Sequence, residues 1–320
     1  MTFSIVIPTF NGGNYIESTL LSSINQTREA DEIIVYDDNS QDKTAEICKT
    51  YISRIKYILN ENGPSGFVGS WNRAIKCACS DYIAILHQDD IIYPTFLEEV
   101  EIALIKHPDS KHLFSLCDYI SDTGRILVRG EESIKESHKL GDVIIFSGQD
   151  YIKEYQKEYP NIAHIHRCPG VVTHRSVFDM GCYYQPEAGH IADDDFFYRV
   201  GLHTSVIGII KSLAAFRIHD ESETGRIGDI NLVSRLSKDY LYQVKQWKNS
   251  DFIKGDSYYY FVNNAFKFTN RLFGYGLKGL NYNLIKLSYN HMTSLNLEGY
   301  KNPNKMLQLL FYFARNILKI

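Results

Sequence analysis

Asp89-Asp90 follows directly on the apolar run Tyr82 to Leu86. Two adjacent acids at the carboxyl end of a strand offer the oxygen ligands that Mg²⁺ or Mn²⁺ takes alongside substrate phosphates and water. The same pair would also suit a helix start, where acids offset unpaired N–H groups and the helix dipole, with Pro94 early in the helix that follows. A second acidic turn, Asp37-Asp38-Asn39-Ser40, closes the run Glu32 to Tyr36. One of its carboxylates could accept hydrogen bonds from the base or ribose of a nucleotide, or the turn could be an Asx-turn or helix cap. At this second turn the two readings are compatible.

The elements that must position these acids are legible as alternating strands and helices over residues 1–115. Ser4 to Ile7 is a short apolar run ended by Pro8, and Ile16, Leu20, Leu21 and Ile24 recur at helical spacing. The pattern repeats with Glu32 to Tyr36, a helix through Ala45, Ile47 and Tyr51, a strand Ile55 to Leu59, and a helix from Phe67 to Cys79. Such alternation predicts a parallel sheet with helices on both faces, whose ligands bind beyond the carboxyl ends of the strands. Farther on, His112 to Ile120 and Arg125 to Arg129 read as strands around the Asp122-Thr123-Gly124 turn, and Gly148 to Glu158 as a helix. A loop-rich stretch runs from Tyr159 to Gly189, a helix starts near Asp193, and strands lie near Ser205 to Ile210 and Ala214 to His219. Beyond Asp229 the chain reads as helical.

Composition sets outer limits. The chain is 44% hydrophobic, 13% aromatic and 22% charged, with a net charge of -4, values that describe a folded protein and supply no basic excess for nucleic acid. The six cysteines show no CxxC pair or zinc-ribbon spacing and are expected to be buried, reduced thiols. No signal peptide is visible in this sequence and none is expected, and no window approaches the ~18 uninterrupted apolar residues of a membrane span. A cytoplasmic location follows as an expectation, soluble or peripheral on the inner face of the membrane. From Ile230 to Ile320, thirteen Lys and Arg stand against four Asp and Glu. There the segment from Lys305 to Lys319 is expected to pack as a core-facing helix, with an amphipathic helix on anionic lipid as the alternative.

Four motifs in order carry a family resemblance. Pro8-Thr9-Phe10-Asn11, Asp37-Asp38-Asn39-Ser40, Asn62-Gly63-Pro64-Ser65-Gly66 with Trp71-Asn72-Arg73, and Gln88-Asp89-Asp90 resemble the family 2 glycosyltransferases over roughly residues 3–220. Gly170 to Phe178, Ala192 to Arg199, and Phe216-Arg217-Ile218-His219 with Ser222 and Thr224 extend the likeness. The resemblance implies a GT-A fold: an α/β catalytic domain over 1–229, with a nucleotide-sugar half to about 115 and an acceptor half from 116, followed by a helical extension over 230–320. It also implies transfer of a sugar, with inversion, from a nucleoside-diphosphate sugar to an acceptor hydroxyl.

The same resemblance implies the roles. Asp193 aligns with the catalytic carboxylate, Asp194 being the one-residue-slip alternative. Asp89, Asp90 and His219 are placed at a divalent metal, Mn²⁺ or Mg²⁺, and the diphosphate. Pro8, Thr9, Asn11, Asp38, Gly66, Arg73, His87 and Gln88 are placed along the nucleotide sugar. His87 departs from the pattern, since many relatives carry an acid there, and it is read as a donor to ribose or phosphate or as a plain cap. Like-charged neighbours at Asp194 and Asp195 would raise the pKa of the base. His164, His166, His174, His190 and His203 lack a cysteine or spaced acid to complete a zinc site. Of these, His166 and His174, with Asp195, are expected on the acceptor side. A UDP-sugar is the favoured donor and a saccharide or lipid-linked saccharide the acceptor, in surface polysaccharide or lipopolysaccharide assembly. A metal-dependent nucleotidyltransferase and a degenerate sugar-nucleotide-binding protein are the rivals. Against the first, Asn11-Gly12-Gly13-Asn14 lacks the dinucleotide spacing and no Walker-type loop is present.

Overall fold

The computed structural model describes residues 1–133, 142–155, 166–220, 222, 229–248, 259–279 and 281–297. These divide into two compact units, one of residues 1–186 and 196–222, the other of residues 187–195 and 223–320.

The first unit is built on a ten-stranded sheet. Strands β1 (Phe3–Thr9), β2 (Glu32–Asp37), β3 (Lys56–Leu59) and β4 (Tyr82–Ile85) pair in parallel in the order β3-β2-β1-β4. All seven residues of β1 are buried, as befits a strand covered on both faces, and its Ile5-Val6-Ile7 run suits that place. Helices α1 (Ile16–Ile24), α2 (Thr44–Thr50) and α3 (Phe67–Cys77) connect these strands. Helix α3 buries Val68, Ser70, Ala74 and Ile75, and Gly66 with φ of 75° sets its entry, a backbone state that favours glycine.

After β4 the expected helix start is replaced by a tight turn and the short strand β5 (Ile91–Ile92). Helix α4 (Phe96–Lys106) begins only at Phe96, so Asp89 and Asp90 cap no helix. Strand β6 (His112–Ile120) follows, then β7 (Ile126–Val128), β8 (Val143–Phe146) and helix α5 (Gly148–Tyr155); the predicted continuation of that helix, residues 156–158, and His164 lie outside the described residues.

Two strands depart from the sequence expectation. Strand β9 (Val171–His174) lies inside the stretch read as loop and inserts antiparallel between β4 and β6. Its four residues are too few to show periodicity, and its partners are distant in sequence. Strand β10 (Val206–Arg217) is a single strand where two were expected, paired in parallel with β6 through register shifts at Ile209/Ser212 and Ser212/Ala214. Glu131 fixes that irregularity, accepting from Ser212 N at 2.7 Å and Ser212 Oγ at 2.9 Å. Helices α6 (Arg175–Asp179) and α7 (Ala192–Val200) complete this region. The boundary between the units falls inside α7, whose acidic first turn belongs to the second unit.

Because β9 runs antiparallel to both β4 and β6, strands β1, β2, β3, β4, β6 and β10 all point the same way. Their carboxyl ends therefore share one edge of the sheet.

The second unit contains α8 (Asp229–Lys248), α9 (Tyr259–Lys278) and α10 (Tyr282–Leu297). Val233, Tyr240, Leu241 and Val244 of α8 and Val262, Ala265, Phe266 and Phe273 of α9 are buried, each set at helical spacing. Ser237 joins the three helices, bonding Thr269 Oγ1 at 2.9 Å and His291 Nδ1 at 2.8 Å. The segment from Lys305 to Lys319 and Thr224 lie outside the described residues. No helix among the described residues is long and apolar enough to cross a membrane.

Candidate active site

The strand order reverses between β1 and β4, and in open α/β sheets ligands bind at such a switch point beyond the carboxyl ends. There Thr9 Oγ1 donates to Gln88 Oε1 at 2.6 Å, as does the Phe10 backbone at 2.7 Å, and Gln88 Nε2 reaches Phe10 O at 3.3 Å. Gln88 thus ties the turn after β4 to the turn after β1. A Cβ at Gly12 would fall 2.6 Å from Gln88 Oε1 and 2.7 Å from Thr9 Oγ1. Pro8 is the penultimate residue of β1, opposite Tyr36. Asn11, with φ of 51°, donates through its N–H to Ser40 Oγ at 2.9 Å and accepts from Gln41 N at 2.8 Å, locking the first turn to the second.

Asp38 is buried and turned toward the loop after β3. Its Oδ1 accepts from Asn60 Nδ2 at 2.7 Å and Ser65 Oγ at 2.9 Å, and its Oδ2 from Ser65 N at 2.6 Å. Its neighbour Asp37 accepts from Ser40 N at 2.8 Å and Tyr57 OH at 2.6 Å. The turn is therefore an Asx-type structure, and Asp38 also holds the Asn60 to Gly66 loop that leads into α3. Arg73 is exposed on that helix. Its neighbour Asn72 grips Tyr184, donating to its carbonyl at 2.8 Å and accepting from its N–H at 3.1 Å.

The turn after β4 meets the end of β10. Asp89 Oδ2 lies 2.9 Å from His219 Nε2, and His219 Nδ1 is buried without a partner. Arg217 organises both neighbours: its N–H donates to Asp90 Oδ1 at 2.9 Å, its Nε to Asp89 O at 2.7 Å, and its NH1 to Asp122 O at 2.9 Å. The guanidinium lies 5.3 Å from the ring centroid of Tyr15, and that ring also meets His219 at 4.3 Å. Asp90 is only 1% exposed. Burial and then the Asp89 charge raise its carboxyl well above the usual carboxylate range, and its hydrogen bond runs to Arg217, not to the Asp89–His219 pair.

A carboxylate and an imidazole held together are both metal-ligating groups. Among the described residues, no group of three or more His, Cys, Asp or Glu is arranged to hold an ion. Asp89 and His219 are of the residue types that would fit a divalent ion also held by substrate oxygens.

His87 stacks on Trp71 at 4.7 Å, with Tyr184 edge-on to the same indole at 5.2 Å. Its Nδ1 is 3.7 Å from Asp90 Oδ2, and its Nε2 is buried without a partner. Burial lowers its pKa, opposed by the Asp89 charge, so the ring is neutral with Nε2 unbonded among the described residues.

Two expected acceptor-side histidines are not brought to this edge. His174 pairs with Tyr82 at the start of β4, six residues before Gln88 and hence about 20 Å away along an extended chain. Its Nδ1 bonds Ser176 Oγ at 2.8 Å at the start of α6. His166 is 1% exposed, stacked on Phe197 at 3.8 Å and Phe114 at 4.5 Å, with Nε2 3.1 Å from His112 Nε2. His112 opens β6, so this pair also sits at the amino edge. The sequence spacing carried no sign of that reversal because β9 had gone unseen.

In the second unit, Asp193 and Asp194 are half-buried in the first turn of α7, Asp194 N donating to Asp193 Oδ1 at 2.9 Å, while Asp195 is buried. Sequence reasoning missed the roles of Tyr15, Asn60, Asn72 and Tyr184; Asn72 stood inside a quoted motif, but Tyr184 carried no local signal.

The chain belongs to glycosyl transferase family 2, whose family model matches residues 4–178. An uncharacterized glycosyltransferase of Rickettsia typhi is 37% identical over 116 residues, 36% of each chain. One from Methanocaldococcus jannaschii is 28% identical over 269 residues, covering 81% of this chain and 84% of its own. The match thus spans about a third of the length of the Rickettsia relative. Among solved structures, S. aureus TarS 1-349 in complex with UDP-GlcNAc superposes with a TM-score of 0.66 at 18% identity, over 91% of this chain and 80% of that one. Its complex with UDP gives 0.64 at the same identity, over 92% and 80%. The fold is the expected GT-A type, a central α/β sheet flanked by helices.

Proposed function

We propose that this protein is an inverting glycosyltransferase. It moves a sugar from a nucleoside-diphosphate sugar, preferentially a UDP-sugar, to a hydroxyl of a saccharide or lipid-linked saccharide in bacterial surface polysaccharide or lipopolysaccharide assembly. The observation that carries this reading is the Asp89–His219 pair, 2.9 Å apart, on the carboxyl edge of the sheet beside the Thr9–Gln88 switch point. The family match and the UDP and UDP-GlcNAc complexes of the structurally similar TarS support the choice of donor.

In this proposal Thr9, Asn11 and the Asp38-anchored loop shape the nucleotide subsite, with Gly66 setting the entry of α3 and Arg73 reaching the ribose or phosphate side. Gln88 fixes the floor between β1 and β4. His87, neutral and backed by Trp71, offers Nε2 to a ribose or phosphate oxygen. Asp89 and His219 would hold Mn²⁺ or Mg²⁺, which when bound supplies Lewis-acid neutralisation of the charge developing on the diphosphate. Arg217 keeps Asp89 in place through its backbone carbonyl. Asp193 accepts the acceptor hydroxyl proton as the new C–O bond forms at the anomeric carbon and the bond to the diphosphate oxygen breaks.

The test uses a panel of nucleotide sugars screened by thermal shift with and without Mn²⁺, then nucleoside diphosphate release with the best donor. Asp193→Asn should abolish release while leaving nucleotide binding within about twofold. An Asp193→Asn protein of undiminished turnover would remove the base assigned here, and pyrophosphate as the product would replace sugar transfer by nucleotidyl transfer.

A further inference from the structure

The acidic turn that opens α7 is anchored by a residue far along the chain. Asp239 lies near the middle of α8, and its Oδ2 accepts from the His190 backbone N–H at 3.0 Å and meets His190 Nδ1 at 3.3 Å. Both side chains are nearly enclosed, 7% exposed for His190 and 9% for Asp239. The residue before, Gly189, adopts φ 60° and ψ -128°, a conformation open to glycine but strained for other residues. A Cβ there would lie 2.6 Å from each of Asp239 Cγ, Oδ1 and Oδ2. The carboxylate thus occupies the place a side chain at position 189 would take, and the backbone of Gly189 and His190 rests directly on it.

From His190 the chain passes through Ile191 and Ala192, 2% and 0% exposed, into the turn that bears Asp193. Only two residues separate the anchored His190 from Asp193, and both are buried. The orientation of the first turn of α7 is therefore set at Asp239. A carboxylate taken out of water is costly unless its partners are well placed. Here both bonds of the carboxylate go to His190, three positions before Asp193.

We propose that Asp239 is a positioning residue of the transfer reaction: through Gly189 and His190 it sets the backbone that presents the Asp193 carboxylate. The inference rests on the reading of Asp193 as the base. It makes α8, which lies beyond the family-matched segment, a working part of the catalytic apparatus. Displacing a catalytic group by about 1 Å can cost about a hundredfold in rate, so loss of this anchor should fall on turnover and spare donor binding.

The experiment compares Asp239→Ala, Asp239→Asn and Gly189→Ala with wild type and Asp193→Asn. The readouts are UDP release from the most rapidly turned-over sugar of a UDP-sugar panel, calorimetric binding of UDP with Mn²⁺, and the pH dependence of kcat. Asp239→Ala should lower kcat by about 10- to 100-fold, leave UDP affinity within about twofold, and displace the acid limb of the kcat profile. Gly189→Ala should lower kcat in the same sense, and less in an Asp239→Ala background because the clash is then gone. If Asp239→Ala does not fold, Asp239→Asn and Gly189→Ala decide. Variants that keep kcat within twofold while Asp193→Asn is inactive overturn the positioning role. So does a loss shared equally by UDP binding with an unmoved pH profile, which is what general destabilisation would give. A fully active Asp193→Asn overturns the assignment of the base itself, a separate failure.

Discussion

Acid should destabilise the first unit through two buried histidines. His166 is clamped between Phe114 and Phe197, its Nδ1 against Tyr151 OH and its Nε2 3.1 Å from His112 Nε2. His112 Nδ1 meets Thr173 Oγ1 at 2.9 Å. Burial pushes His112 down from 6.5 to about 3. His166 is held well below its ordinary value by burial and then by the His112 and Arg167 charges. Both are therefore neutral when folded, whereas the unfolded chain takes up a proton at each below pH ~6.5. Their contribution is complete above that pH and is lost as pH falls toward the folded values, at about 1.4 kcal/mol per pH unit per histidine. From pH 8 to pH 5 the loss at His112 is about 2 kcal/mol, with a further loss in the same direction at His166, against the ~5 to 15 kcal/mol that stabilises a typical domain. The assay is urea unfolding across this pH range, followed by Trp71 fluorescence in a Trp247→Phe background. Replacing His166 by Phe keeps an aromatic ring between Phe114 and Phe197 and removes one titrating group. It should be weaker at pH 8, because the bond between Tyr151 OH and the His166 ring is lost, but should lose less stability than wild type on acidification. An acid loss in His166→Phe equal to that of wild type would refute the reasoning.

Three further outcomes are expected from the same geometry. Asp38→Ala strips three hydrogen bonds from Asn60 and Ser65 and should cost about 2 to 3 kcal/mol, with weaker UDP binding measured by calorimetry because the Asn60 to Gly66 loop is released. Arg217→Lys cannot satisfy the Asp89 and Asp122 carbonyls together; urea unfolding should show a loss of about 3 kcal/mol, and UDP release should fall with it as Asp89 loses its support. His219→Gln should raise the Mn²⁺ concentration needed for half-maximal UDP release by about tenfold, while unfolding at zero Mn²⁺ changes little.

The local chemistry of the nucleotide half was readable because each polar turn follows directly on its strand. Apolar runs such as Tyr82 to Ile85 fix where a strand stops, and whatever comes next must lie at the carboxyl edge. Asp38 shows the limit of that logic. Its place was evident from the run before it, but its three hydrogen bonds to Asn60 and Ser65 depend on how β3 pairs with β2, which no local pattern encodes. His166 and His174 depend on long-range packing in the same way: the antiparallel strand β9 ends with His174 beside the start of β4, and His166 is held against His112 at the start of β6.

The sequence by itself determined the order of strands and helices in the first half, the acidic turns, and the family to which the chain belongs, because these depend on periodicity and on residues close together along the chain. Tertiary structure alone decided that Asp89 meets His219 across 130 residues, that Asp90 turns inward to Arg217, and that Asp239 takes the His190 N–H. Those contacts exist only once distant elements have packed, since hydrogen bonds between remote side chains are set by register and burial and leave no trace in the spacing of the residues that make them.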